Sequence, residues 1–261
     1  MENLDPRRIQ TFVNGSPSFK DIEKQTDIRK NKGHFVSSYL DLVTKIAELQ
    51  FRNPNYVLLF RGQGSDYLNR SKNTSLKPTL FRPRSGETAN PDSSELDRRF
   101  RKLKKAERLL VERYASAHLI GVERLKRQRI LRWAILQHYE ICPTPLMDVT
   151  YSLRIACSFG SDSSDEDSYL FVLAVPHLSG VVTASAEAGV QMIRLASACP
   201  PSAIRPHIQE GYLLGEYPDM GDYDQKANYS HYEVDFGRRL IAKFRFDPDT
   251  FWDDPQFPQV G

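Results

Sequence analysis

Apolar residues recur at helical spacing in two stretches of the N-terminal half. In the first stretch they lie three or four residues apart, which places them on one face of a helix; they are Tyr39, Leu42, Val43, Ile46 and Leu49. Ser37 or Ser38 precedes this face and is the expected N-cap. The second stretch, residues 95–137, repeats the pattern, and we expect Gly121 to separate two helices there.

Short, continuously apolar runs predict strands, mostly in the C-terminal half. YVLLFRGQ, residues 56–63, predicts a short buried strand, and YLFVLAVP, residues 169–176, predicts a central one. Further strands are expected in VQMIRLAS, HIQEGYLLG and RRLIAKFRF. Because helices come first and strands mostly follow, we expect an α+β fold in which a helical N-terminal half packs on a mixed or split, mainly antiparallel sheet.

Polar stretches at both ends set the expected domain boundaries. Residues 1–34 are polar and lack periodicity, which predicts an irregular N-terminal arm. We expect one domain over residues 35–246 and a C-terminal tail over residues 247–261.

The overall charge gives no argument for a nucleic-acid partner. The chain has 36 basic and 33 acidic residues, a net charge of +3. The basic run DRRFRKLKKAERLLVER, residues 97–113, is also typical of a helix that presents Lys and Arg to water, and we weigh this interpretation above nucleic-acid binding.

Apolar content and cysteine usage favour a cytoplasmic protein without a metal. No apolar run approaches the roughly 20 residues of a membrane helix, and MENLDPRRIQ lacks a signal-peptide core. The three cysteines, Cys142, Cys157 and Cys199, lack metal-ligand spacing and are expected to be reduced.

Arg61 is the strongest single candidate for chemistry. Its guanidinium lies at the predicted end of a strand and can bind a phosphate with two parallel hydrogen bonds. Gly62 would let a ligand approach the backbone. The alternative is a structural ion pair between Arg61 and Asp148, and we weigh the two hypotheses about evenly.

Residues 138–150 supply further candidates, each with a structural alternative. His138 suits an acid, a base or a hydrogen-bond donor near neutral pH, although a lone histidine at a helix end is more often structural. Asp148 and Thr150 would share a face of an extended segment, or one of Asp148, Thr150 and Ser152 would cap the next helix. A nucleophilic pair of Cys142 with His138 is given little weight.

Three separated segments are similar to the FRG domain, a family named for its tripeptide. The first segment is Phe60-Arg61-Gly62-Gln63 followed by Leu76-Lys77-Pro78-Thr79-Leu80-Phe81-Arg82. The second is His138-Tyr139, then Pro143-Thr144-Pro145-Leu146-Met147-Asp148-Val149-Thr150, then Ala156 and Phe159. The third contains Arg205, Gln209, Gly211 and Tyr212. The chain departs from the family pattern at Glu140, Pro145 and Val149.

The resemblance implies a further likeness, to the ADP-ribosyltransferase arrangement. There NAD lies in a cleft of a split sheet, an early arginine binds phosphate or ribose, and a late glutamate grips the ribose. In this chain the matching late residue is the neutral Gln209, and Glu210 would face the opposite side of a regular strand unless a bulge beside Gly211 re-aims it.

These predictions combine into one expected cleft. Its expected catalytic residues are Arg61, His138, Gln209 and Glu210, and its ligand-binding residues are Gly62, Gln63, Tyr139, Thr144, Asp148, Thr150 and Arg205. The expected ligand is a nucleotide, with NAD as the substrate of ADP-ribosyl transfer or hydrolysis, in a toxin or phage-defence setting. The alternative is a non-catalytic module that binds a protein or nucleic acid through its basic helical face, and a membrane partner is not expected.

Overall fold

A computed structural model describes residues 9–12, 18–22, 24–84, 87, 89–162, 167–177, 179–198, 207–227 and 234–253. The chain divides into two compact units. The sheet unit comprises residues 3–76, 149–178 and 236–261, and the helical unit comprises residues 1–2, 77–148 and 179–235.

The described secondary structure is mixed. In chain order the elements are β1 (Gln10–Phe12), β2 (Phe19–Asp21), α1 (Gln25–Lys30), β3 (His34–Phe35), α2 (Tyr39–Arg52), β4 (Val57–Gln63), α3 (Ser93–Ser116), α4 (Val122–Arg127), α5 (Arg129–His138), β5 (Met147–Thr150), α6 (Leu153–Ser161), β6 (Ser168–Val175), β7 (Val182–Ser185), β8 (Val190–Arg194), α7 (Leu195–Ala198), β9 (Gly211–Glu216), α8 (Tyr223–Ala227) and β10 (Leu240–Phe246). The boundary between the units falls within β5.

The sheet unit is built around a mixed sheet. Its strands pair in the order β3-β10-β6-β4-β5, and β1 and β2 form a separate antiparallel pair. β3 and β10 run parallel, whereas the remaining pairs of this series are antiparallel. Helices together with a mixed sheet confirm the predicted α+β class.

The core of the sheet unit is centred on β6, as its continuous apolar run predicts. Every residue from Leu170 to Val175 is fully buried, because β4 and β10 flank the strand and both of its faces are covered. The buried rings of Phe246 and Phe251 stack with centroids 4.0 Å apart, so residues just after β10 contribute to this core.

Helix α2 begins after one of the two serines that the sequence predicts as its N-cap. The Oγ of Ser38 accepts a hydrogen bond from the backbone N–H of Asp41 at 3.2 Å, so Ser38 is the N-cap. The buried face of α2 contains Leu42, Ile46 and Leu49, in agreement with the predicted apolar face.

The helical unit contains the long helix α3 and two shorter helices. The carboxylate of Asp92 caps α3 by accepting from the N–H of Glu95 at 2.8 Å. Gly121 has φ +95° and starts α4, so the predicted break lies there. The buried Trp133 of α5 donates to the buried carboxylate of Glu107 at 2.8 Å, which ties α5 to α3. β7, β8 and β9 pair antiparallel in the order β9-β8-β7.

Several local expectations differ from the structure. Within residues 1–34, expected to be irregular, β1, β2 and α1 form and bury Ile22 and Ile28. VQMIRLAS ends its strand at Arg194 and continues as α7. In HIQEGYLLG the strand begins only at Gly211. Among the described residues, no helix is both long enough and apolar enough to cross a bilayer.

Candidate functional site

Arg61 lies inside β4, on a face of the sheet that bears further cations. Side chains alternate along a strand, and directly paired residues of neighbouring strands share a face. Arg61 pairs with Phe171 of β6, which in turn pairs with Lys243 of β10. The two cations therefore flank Phe171 in one row, and the face that carries them is here called the cationic face.

The next row of the cationic face runs across four strands. Gln63 pairs with Tyr169, Tyr169 pairs with Arg245, and Arg245 pairs with Phe35. The guanidinium of Arg245 lies 5.1 Å from the centre of the Phe35 ring and 2.6 Å from a carboxylate oxygen of Asp167. We call Phe35, Arg245, Tyr169 and Gln63 the end row, because β4 ends at Gln63.

The end row borders an open groove of about 970 Å³. Four segments of the sheet unit line it, drawn from residues 30–35, 64–68, 167–169 and 247–249. Phe35 and Tyr169 are among the lining residues, as are Lys30 and Lys32, which are exposed to solvent. Pockets that bind small molecules have volumes of roughly 300–1,000 Å³, so the groove is large enough for a nucleotide.

A buried ion pair fixes one wall of this groove. The Lys243 side chain is fully buried, and its Nζ lies 2.5 Å from Oδ2 of the groove residue Asp66 and 2.9 Å from Oγ1 of Thr74. Thr74 also donates to the backbone oxygen of Arg29 in α1 at 2.9 Å. The segment that follows β4 is thereby tied to β10 and to α1.

Gly62 has a packing role that differs from the predicted one. A Cβ built on Gly62 would lie 1.7 Å from the backbone oxygen of Ala156, in α6. The space beside this glycine is therefore filled by a helix backbone, and a ligand does not approach there. Because Gly62 follows Arg61, α6 covers the face of β4 opposite to Arg61.

Thr150 lies with α6 and not with Arg61. It pairs with Phe60, so it shares the face of Phe60 and Gly62 and points away from the cationic face. Its Oγ1 accepts from the N–H of Ser152 at 3.0 Å. Ser152, one of the three residues from which the cap of α6 was expected, is the N-cap residue, but its side chain makes no capping hydrogen bond.

In the helical unit, two predicted site residues, Thr144 and Asp148, are joined by one glutamine. Nε2 of Gln137 donates to a carboxylate oxygen of Asp148 at 2.8 Å, and the hydroxyl of the buried Thr144 donates to Oε1 of the same glutamine. Gln137, which the sequence did not single out, thus links two predicted residues. Its position one residue before His138, in the last turn of α5, is the only local signal it carries.

His138 is the last residue of α5, and Tyr139 is its C-cap residue. His138 is half-buried, Tyr139 is 57% exposed, and their rings meet edge to face with centroids 4.9 Å apart. Their predicted roles in catalysis and ligand binding stay predictions.

The predicted catalytic residues Gln209 and Glu210 lie in a turn. Gln209 and Glu210 precede β9, and Glu210 has φ +44°, so strand alternation does not decide where their side chains point. The expectation that they occupy opposite faces of a regular strand is wrong for this reason. Arg205 lies outside the described residues, and so does Cys199.

The described cysteines have the character of core residues. Cys142 is 7% exposed, and burial raises the pKa of its thiol above the usual value. Burial also raises the pKa of Cys157, which is fully buried in α6. Since a thiolate is the nucleophile, these environments disfavour the Cys142–His138 pair. In the part of the chain that the structure describes, no cluster of His, Cys, Asp or Glu could hold a metal ion.

The basic face of α3 is partly neutralised by its own acids. Pairs one helical turn apart include Arg98 with Glu95 at 2.8 Å, Arg101 with Asp97 at 2.8 Å, and Arg108 with Glu112 at 3.8 Å. Hydrogen bonds from Arg98 and Arg99 are the largest causes that lower the pKa of Glu95. These contacts fit the solvated helix face that the sequence predicts.

Sequence reasoning missed most of the groove. The lining residues Lys30, Lys32, Phe35 and Tyr169 were not predicted, although Tyr169 lies in a run that was predicted to be a strand. The available signal was the pair of cations two residues apart, Lys243 and Arg245, within an otherwise apolar strand.

The match to a family model agrees with the motifs. Residues 57–168 match the FRG domain, so the chain contains an FRG domain and the predicted resemblance is confirmed. The match begins at the first residue of β4 and ends at the first residue of β6. No curated protein and no solved structure gives a significant match. The likeness to ADP-ribosyltransferases stays a prediction.

Proposed function

We propose that the protein binds a nucleotide, with NAD as the candidate, in the groove of the sheet unit. The observation that carries the proposal is the position of this groove on the cationic face, which also bears Arg61. Lys30 and Lys32 supply cations for phosphates, and Phe35 and Tyr169 supply aromatic surface. A dinucleotide needs both kinds of contact.

The proposed reaction is transfer or hydrolysis of the ADP-ribose of NAD. Breaking the nicotinamide glycosidic bond creates an oxocarbenium-like centre, which a nearby carboxylate stabilises. Asp66 and Asp167 are ion-paired with Lys243 and Arg245, and Oδ1 of the half-buried Asp247 accepts from the N–H of Asp249 at 3.0 Å. Asp249, which is exposed in the groove, is therefore the carboxylate we assign to the ribose. Arg61 is proposed to contact a phosphate, and the setting would be a toxin-like effector in a phage-defence system with a protein or nucleic-acid acceptor.

Binding is tested by calorimetric titration of NAD into purified protein. Replacing Lys32 by alanine should weaken binding about ten-fold, because a charge-assisted contact to phosphate is lost. The matched control is Lys24→Ala, which removes an exposed lysine beside α1 that does not line the groove. Equal affinities of the two variants would place the nucleotide elsewhere, and the absence of any NAD binding would refute the proposal.

Catalysis is tested separately, by following nicotinamide release. The intact protein should release nicotinamide above a heat-killed control, and Arg61→Ala should abolish release while its circular dichroism spectrum stays native. NAD binding without release would leave the binding proposal standing and remove the enzymatic one.

A further inference from the structure

The end row has the composition of a stacking surface. Phe35 is 48% exposed and Tyr169 is half-buried, so both rings retain accessible surface at the groove. Between them lies the guanidinium of Arg245, a planar cation that stacks on aromatic rings. Two rings thus line one side of the groove, and Arg245 lies on the strand between theirs.

The spacing of this surface follows from the sheet. Neighbouring strands lie about 4.8 Å apart, so Phe35 on β3 and Tyr169 on β6 are separated by about 10 Å with Arg245 on β10 between them. A fused bicyclic base is shorter than this width but long enough to contact two neighbouring side chains of the row at once.

Arg245 is held in place before any ligand arrives. Oδ2 of Asp167 lies 2.6 Å from Nη1 of Arg245, and the central carbon of the guanidinium lies 5.1 Å from the centre of the Phe35 ring. The ion pair offsets the charge of Arg245, which makes the row better suited to a neutral aromatic base than to a phosphate. The exposed cations of the lining, Lys30 and Lys32, lie in a different segment.

We propose that the groove selects a purine nucleotide, whose base stacks on Phe35, Arg245 and Tyr169 while its phosphates contact Lys30 and Lys32. This inference rests on the proposed nucleotide binding and adds the part of the ligand that gives selectivity. Purines are favoured because stacking grows with the area of the base, whereas the row offers few fixed groups to read its edge. A single nucleotide is favoured over a strand because the described lining of the groove offers two exposed lysines to its phosphates, fewer than a strand would need.

The test compares two nucleotides that differ only in the base with a diphosphate that lacks the nucleoside. ADP, UDP and inorganic pyrophosphate are titrated into the intact protein by calorimetry. ADP should bind most tightly, UDP less tightly and pyrophosphate at least ten-fold more weakly than ADP, since a stacked base contributes affinity of that order.

Two substitutions remove the rings and keep an apolar side chain in their place. Phe35→Leu keeps an apolar side chain beside Arg245 but removes the aromatic ring. Tyr169→Leu does the same on β6, on the other side of Arg245. Each should weaken ADP about ten-fold and leave pyrophosphate unchanged. Phe51→Leu and Tyr67→Leu are the matched controls, because these rings are 84% and 63% exposed in the same unit and do not line the groove.

The outcomes separate this inference from the proposed function. Equal affinity for ADP and pyrophosphate, unaffected by either ring substitution, would overturn the stacking assignment and leave phosphate binding in the groove intact. Failure of all three ligands and of NAD to bind would overturn both. Much tighter and salt-sensitive binding of an adenine oligonucleotide than of ADP would overturn the assignment to a single nucleotide.

Discussion

At the scale of the residue, the glycine of the FRG motif has a steric role that can be measured. Gly62→Ala would bring a methyl group to 1.7 Å from the backbone oxygen of Ala156, and a backbone atom cannot turn aside as a side chain can. We expect the free energy of unfolding to fall by about 3 kcal/mol or more. Urea denaturation measures the change.

The control for this substitution is Ser65→Ala, at an exposed position three residues further along the chain. It should leave the unfolding midpoint nearly unchanged. If Gly62→Ala proves equally harmless, α6 does not pack against this strand as closely as described, and the space beside Gly62 is again available to a ligand.

His34 supplies a prediction about pH. Burial is the largest cause that lowers its pKa from the usual 6.5, the charge of Lys45 lowers it further, and Asp41 opposes both. Its ring packs between Phe12 and Phe244, and its Nδ1 is buried without a hydrogen-bond partner among the described residues.

Because the folded state holds His34 neutral more strongly than the unfolded state does, the unfolded chain binds more protons below pH 6.5. Its contribution to stability is therefore present above 6.5 and is lost as the pH falls toward the lowered folded pKa. Urea unfolding between about pH 8 and about pH 5 should show a smaller loss of stability in His34→Gln than in the parent. His177→Gln, at an exposed histidine, should behave like the parent, and an unchanged pH profile in His34→Gln would contradict the assignment.

At the scale of the element, local signals were sufficient for the helices and for the central strand. The apolar faces of α2 and α3, the break at Gly121 and the buried run of β6 are all properties of neighbouring residues. The turn before β9 was missed because Gln209 and Glu210 precede an apolar strand and carry no glycine or proline of their own. Element type was therefore predictable where burial is periodic, and element ends were less so.

The N-cap of α2 is the element-scale prediction. Ser38→Ala removes the acceptor of the Asp41 N–H and should lower the free energy of unfolding by about 1 kcal/mol. Ser37→Ala is a matched control, because the exposed Ser37 is the neighbouring serine and is not the N-cap. Thermal or urea unfolding distinguishes the two sequence alternatives, and an equal loss in both variants would mean that Ser38 is not the dominant cap.

At the scale of the whole molecule, the site was less predictable than the fold. Arg61 and Gln63 were found from a local motif, but the groove beside them combines segments around residues 30, 65, 168 and 248. Those segments meet because of strand register, which the alternation of a single strand does not specify when its partners are unknown. The candidates near His138 belong to the helical unit, where Gln137 supplies a link that residue type alone did not reveal.

The predicted end of the domain at residue 246 gives the last test. Phe251 is fully buried, its ring stacks 4.0 Å from that of Phe246, and its backbone oxygen accepts from the N–H of Tyr39 at 3.0 Å. Burial of a phenylalanine of this kind contributes about 3–5 kcal/mol, so a chain ending at Phe246 should unfold at a much lower urea concentration than a chain ending at Asp253. Equal stability of the two chains would mean that the domain does end at 246, whereas the expected loss makes the residues after β10 part of the unit that carries the groove.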